Sequence, residues 1–223
     1  MKTKFWLVLS MLLVSSVFAQ NFQLHYDLGE DREYFTSTIE MFKPDEYGAT
    51  FFFVDFDYNQ PGNKSISLAY FEIARYVTIH KASKLSATLQ YNDGTAPWGP
   101  LGHIWLAGLS YPLNLGPVTI NIDLLYRRDY LDEGNNAQLT LVWFKPLLNN
   151  KLTVTGFMDI WTITDSNDDK KMVLLTEPQV WYKLTNHLHV GSEIEISYRF
   201  LPPNAEGDYS LEFKPTVGLK WDF

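Results

Sequence analysis

Carboxylates in this chain keep a spacing of two. Asp55 and Asp57 share it, as do Glu193 and Glu195. Asp159 stands two residues before Trp161, Glu177 stands four before Trp181, and Phe51 and Phe53 precede Asp55 on the same parity. Glu72, Asp123, Arg127 and Lys214 complete the set. Gathered on one wetted surface, such acids attract cations and accept hydrogen bonds from neutral hydroxylated solutes. The rings stack on a flat base or sugar face, each contact worth roughly 1–3 kcal/mol. Catalytic chemistry is harder to assemble. The five histidines are His25, His80, His103, His187 and His189, and no Gly-x-Ser-x-Gly element accompanies them. His187 and His189 share a strand face with Glu193, a possible metal-ligand set, but no third ligand follows at motif spacing. Asp165-Ser166-Asn167-Asp168-Asp169 resembles an acidic calcium loop but lacks the Gly and the distal Glu of an EF-hand. Cysteine is absent, which excludes a disulfide scaffold, a thiolate centre and a Cys nucleophile. The expectation is no cofactor, no metal and no catalytic residue.

A spacing of two is the period of a β-strand. The last eight residues show it most sharply: Val217, Leu219, Trp221 and Phe223 alternate with Thr216, Gly218, Lys220 and Asp222. The same alternation runs through Leu85–Asn92, Val118–Arg127, Leu152–Trp161 and Leu188–Tyr198. Weaker strands read over Phe22–Leu28, Tyr34–Phe42, Ala49–Tyr58, Ser65–Thr78, His103–Leu113, Ala137–Lys145, Val173–Lys183 and Tyr209–Phe223. This gives about 12 strands, each near the roughly 9–11 residues that a tilted transmembrane strand needs. Short turns alternate with longer loops rich in Asp, Asn and Gly, the pattern of an outer-membrane barrel. The expected fold is therefore all-β: a closed antiparallel transmembrane β-barrel, its oily face toward lipid and its acids toward the lumen.

The address agrees. Met1-Lys2-Thr3-Lys4 is a basic start, Phe5 to Phe18 is apolar, and Val17-Phe18-Ala19 suits cleavage, so residues 1–19 read as a signal peptide and 20–223 as one barrel domain. No later segment holds the roughly 18 unbroken apolar residues of a helical span. Losing Lys2 and Lys4 with the leader takes the formal charge from −8 to −10, which excludes nucleic acid as a partner. Aromatic residues make up 16% of the chain, enough for girdles at both membrane interfaces. Trp98, in the loop Asp93–Pro100, reads as an interface anchor before a contact at the mouth.

Some features fit poorly. Pro178 and Pro215 fall inside strands, where each deletes a ladder bond, and bulges are the expected remedy. Arg75 shares a face with Phe71, Ile73 and Val77, so either it snorkels or a bulge shifts the register. Two readings of the lumen stay open. It is a water-filled path, or the acids pair with Arg127, Lys214 and Lys220 and fill a plugged interior.

Thr50-Phe51-Phe52-Phe53-Val54-Asp55-Phe56, Phe71-Glu72-Ile73-Ala74-Arg75, Gly156-Phe157-Met158-Asp159-Ile160-Trp161 and the closing Gly218-Leu219-Lys220-Trp221-Asp222-Phe223 resemble segments of the Tsx-like, nucleoside-specific channel-forming family. That resemblance implies a 12-stranded monomeric barrel whose narrow, aromatic and ionisable lumen passes nucleosides. The expectation is a channel for small hydrophilic solutes in the outer membrane of a Gram-negative bacterium, with nucleosides the first cargo. Its other partners would be outer-membrane lipid and the barrel assembly machinery, which would engage the C-terminal strand ending in Phe223. The alternatives are a non-conducting structural or partner-binding barrel, a lipid-modifying barrel enzyme, and a soluble β-sandwich.

Overall fold

A computed structural model describes residues 20–29, 32–60, 64–132, 134–165 and 167–223; the expected signal peptide lies outside the described residues. The wall is built from twelve strands. They are β1 (Asn21–Asp27), β2 (Phe35–Asp45), β3 (Gly48–Tyr58), β4 (Ile66–His80), β5 (Leu85–Ala96) and β6 (Ile104–Leu115). The second half holds β7 (Val118–Asp129), β8 (Asn136–Leu147), β9 (Leu152–Thr164), β10, β11 (Leu188–Tyr198) and β12 (Leu211–Asp222). Strand β10 runs in two stretches, Lys170–Thr176 and Gln179–Lys183, separated by Glu177 and Pro178. Each strand pairs antiparallel with its sequence neighbours, and β12 returns to β1, with Asn21 opposite Asp222 and Asp27 opposite Thr216. The sheet closes on itself, so no edge remains open to another chain.

Burial shows which way the wall faces. From β12 to Phe223, Val217, Leu219, Trp221 and Phe223 are 45–64% exposed, whereas Thr216, next to Val217 on the other face, is 6% exposed. Along β5, Ser86, Thr88, Gln90 and Asn92 are buried, while Leu89 on the other face is exposed. The buried set is largely polar (Gln23, His25, Asp27, Asp123, Arg127, Gln138) and the exposed set is apolar (Ile73, Leu109, Leu124, Val180, Val190). This inverts the rule for water-soluble proteins. A soluble sandwich would not leave this much apolar surface in water. No helix among the described residues is long and apolar enough to cross a membrane; the crossing elements are strands.

The ends of the barrel differ. One carries the short turns 46–47, 81–84, 116–117, 148–151 and 184–187, and both chain termini of the barrel. The other carries the longer connections 28–34, 59–65, 97–103, 130–135, 165–169 and 199–210. These are called the turn end and the loop end. Within 97–103, Gly99 and Pro100 fold back on Ala96 and Thr95, and this short hairpin puts Trp98, 74% exposed, at its tip.

The prolines do not create bulges. Pairing keeps one register through Pro178, from Met158 opposite Thr176 to Thr155 opposite Gln179. It also keeps one register through Pro215, from Gly191 opposite Gly218 to Tyr198 opposite Leu211. Side chains repair the gap beside Pro215: Ser192 Oγ donates to the Thr216 carbonyl at 2.6 Å, and the Glu193 amide donates to Thr216 Oγ1 at 3.3 Å. Gly156 faces Pro178 with φ of 149°, where a Cβ would sit 2.4 Å from the Glu177 carbonyl oxygen. The true irregularities fall elsewhere, at Asp57/Tyr58 and Thr78/His80. Arg75 therefore keeps its oily register opposite Thr50 and Leu89. It snorkels to the turn end, where Nη1 meets Asp45 Oδ2 at 2.5 Å and Thr50 Oγ1 at 3.0 Å.

Candidate functional site

The candidate site is the inner face, because period two delivers there the acids, rings and cations singled out by spacing. The structure places Phe51, Phe53, Asp55 and Asp57 of β3, Glu72 of β4, and Asp123 and Arg127 of β7 on it. Asp159 and Trp161 of β9, Glu177 and Trp181 of β10, Glu193 and Glu195 of β11, and Lys214 of β12 complete it. They are not equally covered. Buried inner residues concentrate on β1 and on β5 to β8. Half-buried ones concentrate on β2 to β4 and β9 to β11, where Phe51, Phe53, Asp55, Glu72, Asp159, Glu177 and Glu193 stand.

Neutral donors hold most of the central acids. Thr38 Oγ1 donates to Asp55 at 2.5 Å. Tyr70 OH and Asn92 Nδ2 donate to Glu72 at 2.5 and 2.9 Å. Tyr76 lies along the wall from β4 to β7 and donates its hydroxyl to Asp123 at 3.0 Å, joined there by Gln90 at 3.1 Å. Thr140 donates to Asp159, Gln179 to Glu193, and Asn21 to Glu40 at 3.0 Å. The Glu177 carboxylate takes no hydrogen bond from the described residues. Acids of opposite walls feel each other's charge: Glu72 with Asp159, and Asp55 with Glu193.

The fixed cations are anchored toward the two ends. Arg127 donates to Gln138 at 2.7 Å and to Asp129 at 3.2 Å, and its guanidinium lies 5.0 Å from the Trp161 ring centre. Its charge also reaches Glu72 and Asp159, without a bond to either. Lys214 Nζ lies 3.8 Å from Glu212. Near the turn end Lys220 Nζ sits 4.8 Å over the Trp181 ring, whose indole N–H donates to Gln179 at 2.9 Å. Trp181 is fully buried, and room for it comes from Gly191 across the pair, where a Cβ would stand 2.4 Å from the indole. Among the described contacts, Arg127 bonds Asp129 at the loop end, Lys220 covers the Trp181 ring, and Lys214 has Glu212 beside it.

An aromatic row runs beside the acids. Phe51 and Phe53 have ring centres 5.8 Å apart, and Phe53 and Tyr70 6.0 Å. The remaining candidates resolve simply. His187 stacks on Trp221 at 5.3 Å, His189 turns toward Asp222 at 2.9 Å, and Glu193 is held by Gln179, so the three do not converge. No group of three or more potential ligands able to hold a metal occurs among the described residues. His80 meets Ser83 at 2.7 Å inside one exposed turn, where no carboxylate bonds the imidazole among the described residues.

Sequence reasoning missed Glu40, Tyr70, Tyr76 and Arg32. Glu40 follows Thr36 and Thr38 at spacing two, a signal that was there to be read. Arg32 sits in a loop and offers none. Its Nη1 meets Asp27 at 3.1 Å and its Nη2 meets Glu195 at 2.9 Å. Burial opposes its charge, but Glu195 and Asp27 outweigh burial and raise its pKa. Beside it, burial and the Asp57 carboxylate push the Tyr34 phenol up to about 12.

Closure, an oily exterior and a polar, ionisable interior define a porin-like transmembrane β-barrel of the outer-membrane type. The chain belongs to the DUF5020 family, a domain of unknown function, whose family model matches residues 19–223. Its fold is similar to the solved NanC porin, at 11% identity, covering 91% of this chain and 99% of that one with a TM-score of 0.58. It is also similar to the KdgM porin, at 10% identity, covering 91% and 98% with a TM-score of 0.52. A search of the curated proteins finds no match. Both likenesses are to porins and carry the fold; neither is specific to nucleoside channels.

Proposed function

We propose that this chain is a monomeric channel in the outer membrane of a Gram-negative bacterium, passing small hydrophilic solutes through an acidic lumen. One observation carries the reading. Asp55, Glu72, Asp159, Glu177 and Glu193 converge from opposite walls, half-buried, with neutral donors or none for hydrogen-bond partners. Charges in that number need water or mobile counterions. A lumen whose acids outnumber its cations concentrates cations and repels anions. Neutral hydroxylated solutes are served by the same acceptors, and the Phe51–Phe53–Tyr70 row suits a flat ring. Nucleosides combine a flat base with a hydroxylated sugar, so they are the cargo to try first. The barrel assembly machinery is the proposed partner of β12, and lipid that of the outer face.

The test is reconstitution in planar bilayers and liposomes. Cation-selective conductance and nucleoside uptake are expected. Neutralising Asp55, Asp57, Asp159 and Glu177 to their amides should move the reversal potential in a salt gradient toward zero. Silence in both assays sinks the channel, and an unchanged reversal potential rejects a charge-lined path. A second reading, a non-conducting barrel that serves as scaffold, draws support from the full burial of Trp181 and Leu106 inside the wall. Silence in both assays would favour it.

A further inference from the structure

The side chain best placed to control entry comes from a loop, not from the wall. The described ends of the connection after β1 are tied down: the Asp27 amide donates to the Tyr34 carbonyl at 2.9 Å, and the Arg32 amide donates to the Gly29 carbonyl at 3.0 Å. The Gly29 amide donates to Asp27 Oδ1 at 2.8 Å, and a Cβ on Gly29 would stand 2.6 Å from Lys214 Cδ, so Gly29 lies close on the inner side of β12. From there Arg32 spans to Asp27 on β1 and Glu195 on β11, one guanidinium nitrogen on each. Both carboxylates face inward, so the fork is drawn into the mouth. Guanidinium stays charged at any working pH, and its planar fork is fixed by bridging two acids. Beneath it stand Glu177, paired opposite Glu195 by register, and Asp57, bonded by Tyr34 at 3.3 Å and Gln60 at 2.6 Å. The Arg32 charge reaches both.

We propose that Arg32 is the specificity-determining residue of the loop-end mouth, a fixed cation that restrains cation entry into a lumen whose acids outnumber its cations. Its removal takes one of two cations from beside Asp27, Glu195 and Glu177; Lys214 of β12, opposite Glu195, stays. The inference rests on the channel reading for its consequence in transport, but its electrostatic content is measurable without conduction.

The chain has no cysteine, so Glu177→Cys introduces a single thiol beneath Arg32. The folded barrel in detergent, its folding checked by heat-modifiable migration, is treated with a trimethylammonium and with a sulfonate methanethiosulfonate reagent. In the Arg32→Gln background the ratio of cationic to anionic modification rates should rise by about fivefold. Arg32→Lys keeps the charge and should leave the ratio within about twofold of the parent. A ratio unmoved by Arg32→Gln overturns the inference, as does a thiol inert to both reagents in every background. Bilayer conductance of the same proteins separates the two claims. Conduction with an unmoved ratio removes Arg32 and spares the channel; a moved ratio without conduction does the reverse.

Discussion

Asp165 organises its own loop. Its carboxylate accepts the amides of Asn167 at 2.9 Å and Asp169 at 3.0 Å, and Lys171 lies 3.3 Å away. The stretch that resembled a calcium loop thus spends this acid on its own backbone and a neighbouring lysine. Those amide bonds, that of Asp169 first, hold the Asp165 carboxyl below the usual carboxylate range. A depressed carboxylate contributes order that is fully present above its unfolded pKa and is lost as pH falls through the folded one. The Asn167 and Asp169 amides should therefore stay protected from exchange at pH 5 and loosen only below the ordinary carboxylate range. Asp165→Asn should remove this pH dependence. Residue-level hydrogen exchange checks it; protection that fades already between about pH 6 and 5, above that range, rejects it.

At the scale of the strand, Gly156 and Pro178 answer one another. Proline brings no N–H to the ladder, and glycine supplies the positive φ that lets β9 pass the break in β10 without losing register. Gly156→Ala must strain the backbone and displace the Glu177 carbonyl, which should cost about 2–3 kcal/mol. Urea unfolding of the vesicle-inserted barrel, followed by tryptophan fluorescence, reads this; a loss below about 0.5 kcal/mol would show the wall yielding freely there. The faces of β7, β9, β11 and β12 were plain in the sequence, because successive Cβ atoms point to opposite sides. The outcome at Pro178 and Pro215 was not plain. A proline marks a missing donor, but whether the register slips depends on the partner strands, here on Gly156, Ser192 and Thr216. Tyr76 reaching Asp123 past β5 and β6 was hidden too, since alternation gives a face and not the tilt of a long side chain. Arg32 was beyond reach, because a loop has no period to read.

The whole molecule is inside out, and adjacent residues can test that. Leu124 is 62% exposed at the middle of β7, and its neighbour Leu125 is 4% exposed. In a water-soluble protein, arginine in place of so exposed a leucine would cost little. In a bilayer Leu124→Arg should cost about 2–4 kcal/mol, as expected of a charge at mid-depth on the lipid face. Equilibrium unfolding from phospholipid vesicles measures it, and a change within about 0.5 kcal/mol would remove lipid from that face.

Strict alternation in the wall also bears on the chain before it closes. Mean hydropathy is only −0.16, since each greasy residue is diluted by a wet neighbour. Past the apolar run Phe5 to Phe18, the chain offers no long fatty stretch by which a bilayer could seize it in transit. Affinity for membrane is thus acquired at the moment of closure, when one dimension of mixed character is sorted into two surfaces.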